Sequence, residues 1–270
     1  YMKPRNIFRL IAAVVVIGLL ATLMALLQET RTNAPASQSA SKGAVSGPVT
    51  VDFPRAEPIL AITQNYADPT SQWVVVSKSR PLAKSDYIPA DLIEAPVASN
   101  PDKSREERSV RELFRTPLQN LFNAAKTKGY DLMVASGYRS YDLQNTYYSN
   151  YVATSGQEAA DTYSARPGYS EHQTGLAVDI SLVSRECYLE ACFGATPAGA
   201  WLAAHAHEYG FILRYPENKS SVTGYQFEPW HFRYVGPVLA NALHDSGLTL
   251  DEAWPYLDKA LTQLKQQGQL

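Results

Sequence analysis

Apolar residues change period several times along the chain. Leu10 to Leu27 is an apolar run without a charged residue. A helix over it would reach about 27 Å at ~1.5 Å per residue, close to the ~30 Å hydrocarbon core of a bilayer. A helix in a soluble core would show a polar face, and this run has none. Lys3, Arg5 and Arg9 precede it, which predicts a cytoplasmic N-terminus with the remainder outside. A cleaved signal peptide shares the basic flank and the apolar run. The length of the run, with no small-x-small site close behind it and no lipobox cysteine, favours an uncleaved anchor over residues 1–29. Residues 30–58 are rich in Ala, Ser, Pro, Gly and Thr and predict a flexible linker with a reach of about 30 Å.

Beyond the linker the pattern alternates between short apolar runs and helical spacing. Trp73-Val-Val-Val-Ser predicts a strand. From Ser104 to Lys128, Val110, Leu113, Phe114, Leu118, Leu121, Phe122 and Ala125 recur every three or four residues, which predicts a helix. Pro117 should kink or split it, and Gly129 should stop it. Asp131 to Ser136 predicts a strand, followed by a helix capped by Ser140 or Asp142 and running through Tyr151. Residues 163–169 read as a loop. Leu176, Val178 and Ile180 then alternate with Ala177, Asp179 and Ser181, so a strand here would bury the aliphatic side and present Asp179 on the other. A helix over 197–210, strands over 211–216 and 225–235, and helices over 237–244 and 250–264 complete the pattern.

Composition narrows the function. With 24 basic and 26 acidic residues the chain lacks the basic footprint of a nucleic-acid partner. Its seventeen tyrosines are many for the length, and a spread between core and surface is the simpler expectation over an aromatic groove. The two cysteines, Cys187 and Cys192, lie close together, and in an exported chain they predict a disulfide.

The chemistry concentrates in two stretches. Arg166 to Ser181 carries His172 and Asp179, and Glu228-Pro-Trp-His231 adds a second histidine and another carboxylate. Two imidazoles and a carboxylate make a three-ligand set for zinc with a position left for water. Glu228 is then free to take a proton as general base. In an extended segment residues three apart point to opposite sides, so Glu228 and His231 share a cleft only with a turn or bulge at Pro229. Glu171 would point away from the metal into a supporting role, and Trp230 would buttress His231. His205 and His207, two apart on a helix, diverge and are expected to be non-catalytic. A purely structural zinc site would want four protein ligands.

Ser170-x-His172-x-x-Gly175-x-Ala177-x-Asp179, followed by Glu228-x-x-His231 and preceded by Ser136-Gly-Tyr-Arg139-Ser, resembles the VanY-type D-alanyl-D-alanine carboxypeptidases, relatives of lysostaphin-like and hedgehog-like zinc domains. The resemblance runs from roughly Trp73 to Gly247. It implies an α+β fold over residues 59–270: a compact zinc peptidase domain with a small antiparallel sheet flanked by helices, zinc lying in an open groove. It implies His172, Asp179 and His231 as ligands of Zn2+, Glu228 and Arg139 as catalytic residues, and Ser170 and Gln144 in substrate binding, with satisfaction of a backbone group the alternative for Gln144. The implied partner is the peptidoglycan stem peptide, D,D- or L,D-configured, acted on outside the cytoplasm by a membrane-anchored enzyme. A cross-link endopeptidase and a non-catalytic, zinc-stabilised wall-binding module are the alternatives.

Overall fold

A computed structural model describes residues 47–270. The apolar run at Leu10–Leu27 and most of the expected linker lie outside the described residues. Among those described, no helix is long and apolar enough to cross a membrane. The chain opens with two short antiparallel pairs, β1 (Thr50–Val51) with β2 (Ile59–Leu60) and β3 (Leu92–Glu94) with β4 (Ser109–Arg111). The main sheet joins β5 (Leu132–Ser136), β6 (Ala177–Leu182), β7 (Phe211–Leu213) and β8 (His231–Tyr234) in the order β5-β6-β8-β7, antiparallel throughout. The helices are α1 (Arg115–Thr127), α2 (Tyr141–Ser155), α3 (Gln157–Tyr163), α4 (Pro197–His205), α5 (Pro237–Ser246) and α6 (Leu250–Gln266). A one-turn helix at Ser220–Thr223 lies between β7 and β8. The fold is mixed α+β, as the family pattern implies.

Period-2 spacing in β6 works as expected. Leu176, Val178 and Ile180 are fully buried against Val134 of β5, Phe232 of β8 and Leu118, Leu121 and Ala125 of α1. Each such aliphatic side chain contributes roughly 1.5–3 kcal/mol by leaving water. Burying one side of β6 this way leaves Asp179 and Ser181 facing the other. A second apolar cluster joins β1, Trp73 and Val75 to α5 and α6. The start of α6 is set by a reciprocal capping box between Thr249 and Glu252, which satisfies donors that a first helical turn leaves free.

Several expectations change. Trp73–Val76 is buried but forms no ladder. The carbonyls of Gln72 and Val74 accept from Arg233, and that of Val76 accepts from Arg214, so two guanidiniums take the place of a strand partner. The helix expected from Ser104 begins only at Arg115; Ser109–Arg111 pairs as β4, and Glu112–Phe114 is a 3₁₀ turn. Pro117 therefore falls in the first turn of α1, where a missing N–H costs nothing and no kink follows. Residues 157–162, not assigned to any element by pattern, continue as α3. The linker ends earlier than residue 58, since Val49, Val51 and Phe53 are buried in the second cluster.

Cys187 and Cys192 form a disulfide. Closing so short a loop contributes about 2 kcal/mol by chain entropy, and a domain of this size shifts ~2–4 °C per kcal/mol. Reduction should therefore lower the melting temperature by roughly 4–8 °C in calorimetry and leave bound metal in place. An unchanged transition in fully reduced protein would mean that packing alone holds the loop.

Candidate metal centre and active-site cleft

Asp179 and His231 are direct partners across β6 and β8. The Ile180 N–H donates to Trp230 O, and the Tyr234 N–H donates to Leu176 O. These bonds make the even-numbered positions of β6 the hydrogen-bonded pairs, so Asp179 and His231 form a non-hydrogen-bonded pair, the kind whose side chains approach most closely. His172 comes from the 3₁₀ turn Glu171–Thr174, which Gly175 ends in the left-handed conformation at φ 68°. A Cβ on Gly175 would lie 2.9 Å from the Arg111 side chain, so the glycine of the motif serves both conformation and space. Gly137 is equally constrained, because a Cβ there would collide with the Ser109 carbonyl. That close approach lets its own carbonyl accept from His172 Nδ1 at 2.6 Å.

Three side chains converge as a result. His172 Nε2 is 3.4 Å from Asp179 Oδ2, and His231 Nδ1 is 3.2 Å from Asp179 Oδ1. The two imidazoles stand edge to face with centroids 4.9 Å apart, and all three residues are buried. With its Nδ1 proton given to Gly137, His172 offers the Nε2 lone pair to the centre. Burial, reinforced by Arg139, holds its pKa down. Burial would raise Asp179, but the two imidazoles outweigh it and keep the carboxyl well below its usual range. Burial likewise opposes charge on His231, yet Asp179 and Glu171 raise it to about 9. The space between these groups favours positive charge.

The residues fit a zinc ion. One donor atom from each of the three lies within 4.8 Å of the others, and each imidazole nitrogen stands 3.2 or 3.4 Å from a different oxygen of Asp179, near the roughly 3.3 Å that separates two ligands of a tetrahedral zinc. Asp179 Oδ1 is buried without a hydrogen-bond partner, a costly state for a carboxylate oxygen unless a cation meets it. Among the described residues, His172, Asp179 and His231 are the one group of three or more His, Cys, Asp or Glu close enough to share an ion.

Glu228 reaches the same cleft because the chain turns before β8. The His231 N–H donates to Glu228 O at 3.1 Å across Pro229 and Trp230, which is the turn that strand alternation required. Its Oε2 lies 3.9 Å from His231 Nδ1, and burial pushes its carboxyl up to about 7 against the pull of His231. Arg139 faces Asp179 Oδ2 at 3.8 Å. Ser170 is buried and lines the cleft.

Gln144 is placed differently from its expected role. It is fully buried and does not line the cleft. Its Oε1 accepts from Arg139 Nη1 at 2.8 Å, while its Nε2 donates to Ala165 O at 2.7 Å. Its amide is thus committed to Arg139 and to a backbone carbonyl. Trp230 also departs from its buttressing role by forming part of the wall, and Tyr215 packs on His231 instead, with centroids 4.8 Å apart. Tyr151, Tyr163, Tyr215 and Tyr225 line a cavity of about 260 Å³ together with Leu189 from the disulfide loop. No spacing rule marks these tyrosines, because they come from four separate segments. Lys78, also unforeseen, donates to the carbonyls of Asp161 and Gly224 and covers the Tyr225 ring. His205 and His207 pair with Glu208 and Asn241 outside the cleft.

Three mixed nitrogen and oxygen ligands beside a poised carboxylate suit a hydrolytic centre better than a closed structural one. The sequence profile of VanY, D-alanyl-D-alanine carboxypeptidase, matches residues 107–237. The putative carboxypeptidase YodJ of Bacillus subtilis (strain 168) is 41% identical over 196 residues, covering 73% of this chain and 71% of YodJ. The LD-carboxypeptidase LdcB superposes with a TM-score of 0.65 at 39% identity, over 76% of this chain and 94% of LdcB. A mutant of the D,D-pentapeptidase VanY from a VanB-type resistance cassette, in complex with Zn(II), superposes with a TM-score of 0.53 at 31% identity, over 68% of this chain and 98% of its own. The chain belongs to the VanY family of carboxypeptidases.

Replacing Gln144 should act through Arg139. Gln144→Met removes the acceptor at Arg139 Nη1 and should lower kcat/KM about 10–100-fold, the usual cost of a misplaced cleft group, with metal content unchanged. Kinetics and metal analysis on the same preparation check this, and wild-type turnover would detach Gln144 from the site.

Proposed function

We propose that the chain is a zinc-dependent carboxypeptidase that removes the C-terminal D-alanine from peptidoglycan stem peptides. The observation that carries this is the buried Asp179 carboxylate between two imidazoles, its Oδ1 unpartnered beside His231 and its Oδ2 beside His172, with the Glu228 carboxyl on the same cavity. His172 Nε2, Asp179 and His231 Nδ1 would hold the ion. Zinc bound there supplies Lewis acidity, acidifying water and polarising a carbonyl. VanY neighbours in this family hold Zn(II) and D-alanine-D-alanine, which supports both halves of the proposal.

The chain's own groups divide the remaining work. Glu228, with its carboxyl near neutrality, can accept a proton from water and pass it to the leaving amine of D-alanine, since a general base works best with a pKa near the working pH. Arg139 brings a fixed positive charge to the cleft beside Asp179 Oδ2. A preorganised donor facing developing oxyanion charge typically contributes about 2.7–4 kcal/mol. Ser170, buried on the wall of the cleft, would hold the substrate's terminal carboxylate. The tyrosines, Trp230 and Leu189 form a mostly aromatic wall that suits a short peptide end and keeps water from the reacting bond. Extracellular placement belongs to the same proposal: the substrate lies outside the cytoplasm, and a disulfide is typical of an oxidising compartment.

Mass spectrometry of muropeptides incubated with residues 47–270 and zinc tests the activity. Loss of one alanine from pentapeptide indicates D,D-specificity, and loss from tetrapeptide indicates L,D-specificity. Cleavage confined to cross-linked dimers would replace the proposal with an endopeptidase, and intact products throughout would refute it. Glu228→Gln should retain zinc and bind substrate, with turnover reduced about 10²–10⁴-fold. His172→Ala, Asp179→Ala and His231→Ala should each lose zinc as well as activity. Stoichiometric zinc in all three would remove them as ligands.

A further inference from the structure

Behind the three converging side chains lies another carboxylate, Glu171, which none of the steps above uses. It is 1% exposed, and its two oxygens have different surroundings. Oε1 accepts from Arg214 Nε at 2.8 Å and from Arg233 Nη1 at 2.9 Å. Oε2 has no hydrogen-bond partner and faces His231 Nε2, also without one, at 3.6 Å. The opposite nitrogen of that ring, Nδ1, is 3.2 Å from Asp179 Oδ1. The imidazole thus stands between two carboxylates, one at the centre and one behind it.

The arginines are themselves committed. Arg214 donates to Asp251 Oδ2 at 2.6 Å and to Val76 O at 3.3 Å. Arg233 donates to the carbonyls of Val74, Gln72 and Tyr234 at 2.7, 3.1 and 3.0 Å. Both guanidiniums are fully buried, so neither can swing away from Oε1 without leaving other buried carbonyls unpaired. Oε1 is fixed, and Oε2 is aimed at one atom.

We propose that Glu171 is a positioning residue for the metal centre: it holds the Nε2 proton of His231 and so keeps the Nδ1 lone pair free for the metal. This rests on the metal site proposed above. A neutral imidazole carries one N–H, and the nitrogen that donates cannot also ligate. An ionised carboxylate can only accept, so it admits a single tautomer. Metal-ligating histidines commonly give their second N–H to such a partner. His172 obtains the same service from the Gly137 carbonyl, but with the ring reversed, so that Nε2 faces the metal.

Glu171→Gln preserves the shape and reverses the instruction. The carboxamide oxygen would stay with the two guanidiniums, because turning the NH2 group toward them sets donors against donors. That NH2 group then faces His231 and favours a ring protonated on Nδ1, where the metal would bind. Competition against a chromophoric zinc chelator should show affinity about 10–100-fold below wild type. A purely structural Glu171 would lower the melting temperature and leave zinc affinity alone. A folded Gln variant with wild-type affinity therefore overturns the proposal. Should that variant not fold, long-range ¹H–¹⁵N correlation on zinc-loaded wild type decides: His231 should bind through Nδ1 and carry a proton on Nε2, and the reverse assignment overturns the idea. A wild-type chain that takes up no zinc refutes the metal site itself, a separate outcome from either failure of Glu171.

Discussion

The antiparallel pairing of β6 with β8 sets Asp179 opposite His231, and the rest of the centre is built around that register. A slip of one residue would turn every side chain of a strand to the other face. It would drive Asp179 into the apolar cluster occupied by Val178 and Ile180 and bring those aliphatic groups to the cleft. The hydrophobic face of β6 therefore fixes the ligand geometry as firmly as it fixes the core. Once this pair is placed, the turn at Gly175 and the close approach at Gly137 bring His172 to the third corner.

The cleft combines groups that would not coexist in open water. Asp179 stays ionised despite burial because two imidazoles face it. Glu228, a short distance away and without a comparably close cation, is pushed toward neutrality. The difference between these two carboxyls, one that would suit a metal ligand and one that would suit a proton acceptor, thus comes from their surroundings, since their intrinsic acidities are nearly equal. The guanidinium of Arg139 acts on both, which is why its anchoring by Gln144 matters to more than one step.

Residues linked by short, regular spacing were legible in the sequence. His172, Asp179, Glu228 and His231 lie within two stretches whose strand alternation and turn residues could be read directly, and the need for a break at Pro229 followed from that alternation. The position of Gln144 one turn from the start of α2 does not decide in the sequence between a contact with substrate and satisfaction of a backbone group, and the structure pairs it with Arg139 and the Ala165 carbonyl. The tyrosine wall was missed because tertiary packing alone gathers Tyr151, Tyr163, Tyr215 and Tyr225. Helical periodicity failed at Val110, where pairing with β3 overrides a local pattern too short to decide by itself, and at Leu113, which follows in a 3₁₀ turn. At Trp73–Val76 the β-branched composition was read as a strand. The competing demand came from two buried arginines far along the chain, a signal that no local window contains.

That last arrangement bears on where the catalytic unit ends. The span that matches the family profile stops at residue 237 and begins at 107, yet Arg214 and Arg233 are held by carbonyls at Gln72 to Val76 and by Asp251 in α6. A fragment trimmed to the matching span would keep His172, Asp179, His231 and Glu171, but would lose Asp251 and the carbonyls that also accept from two interior guanidiniums. The boundary of recognisable likeness and the boundary of a self-sufficient folding unit are therefore different, and an excised module needs both flanks, from before Gln72 to beyond Asp251.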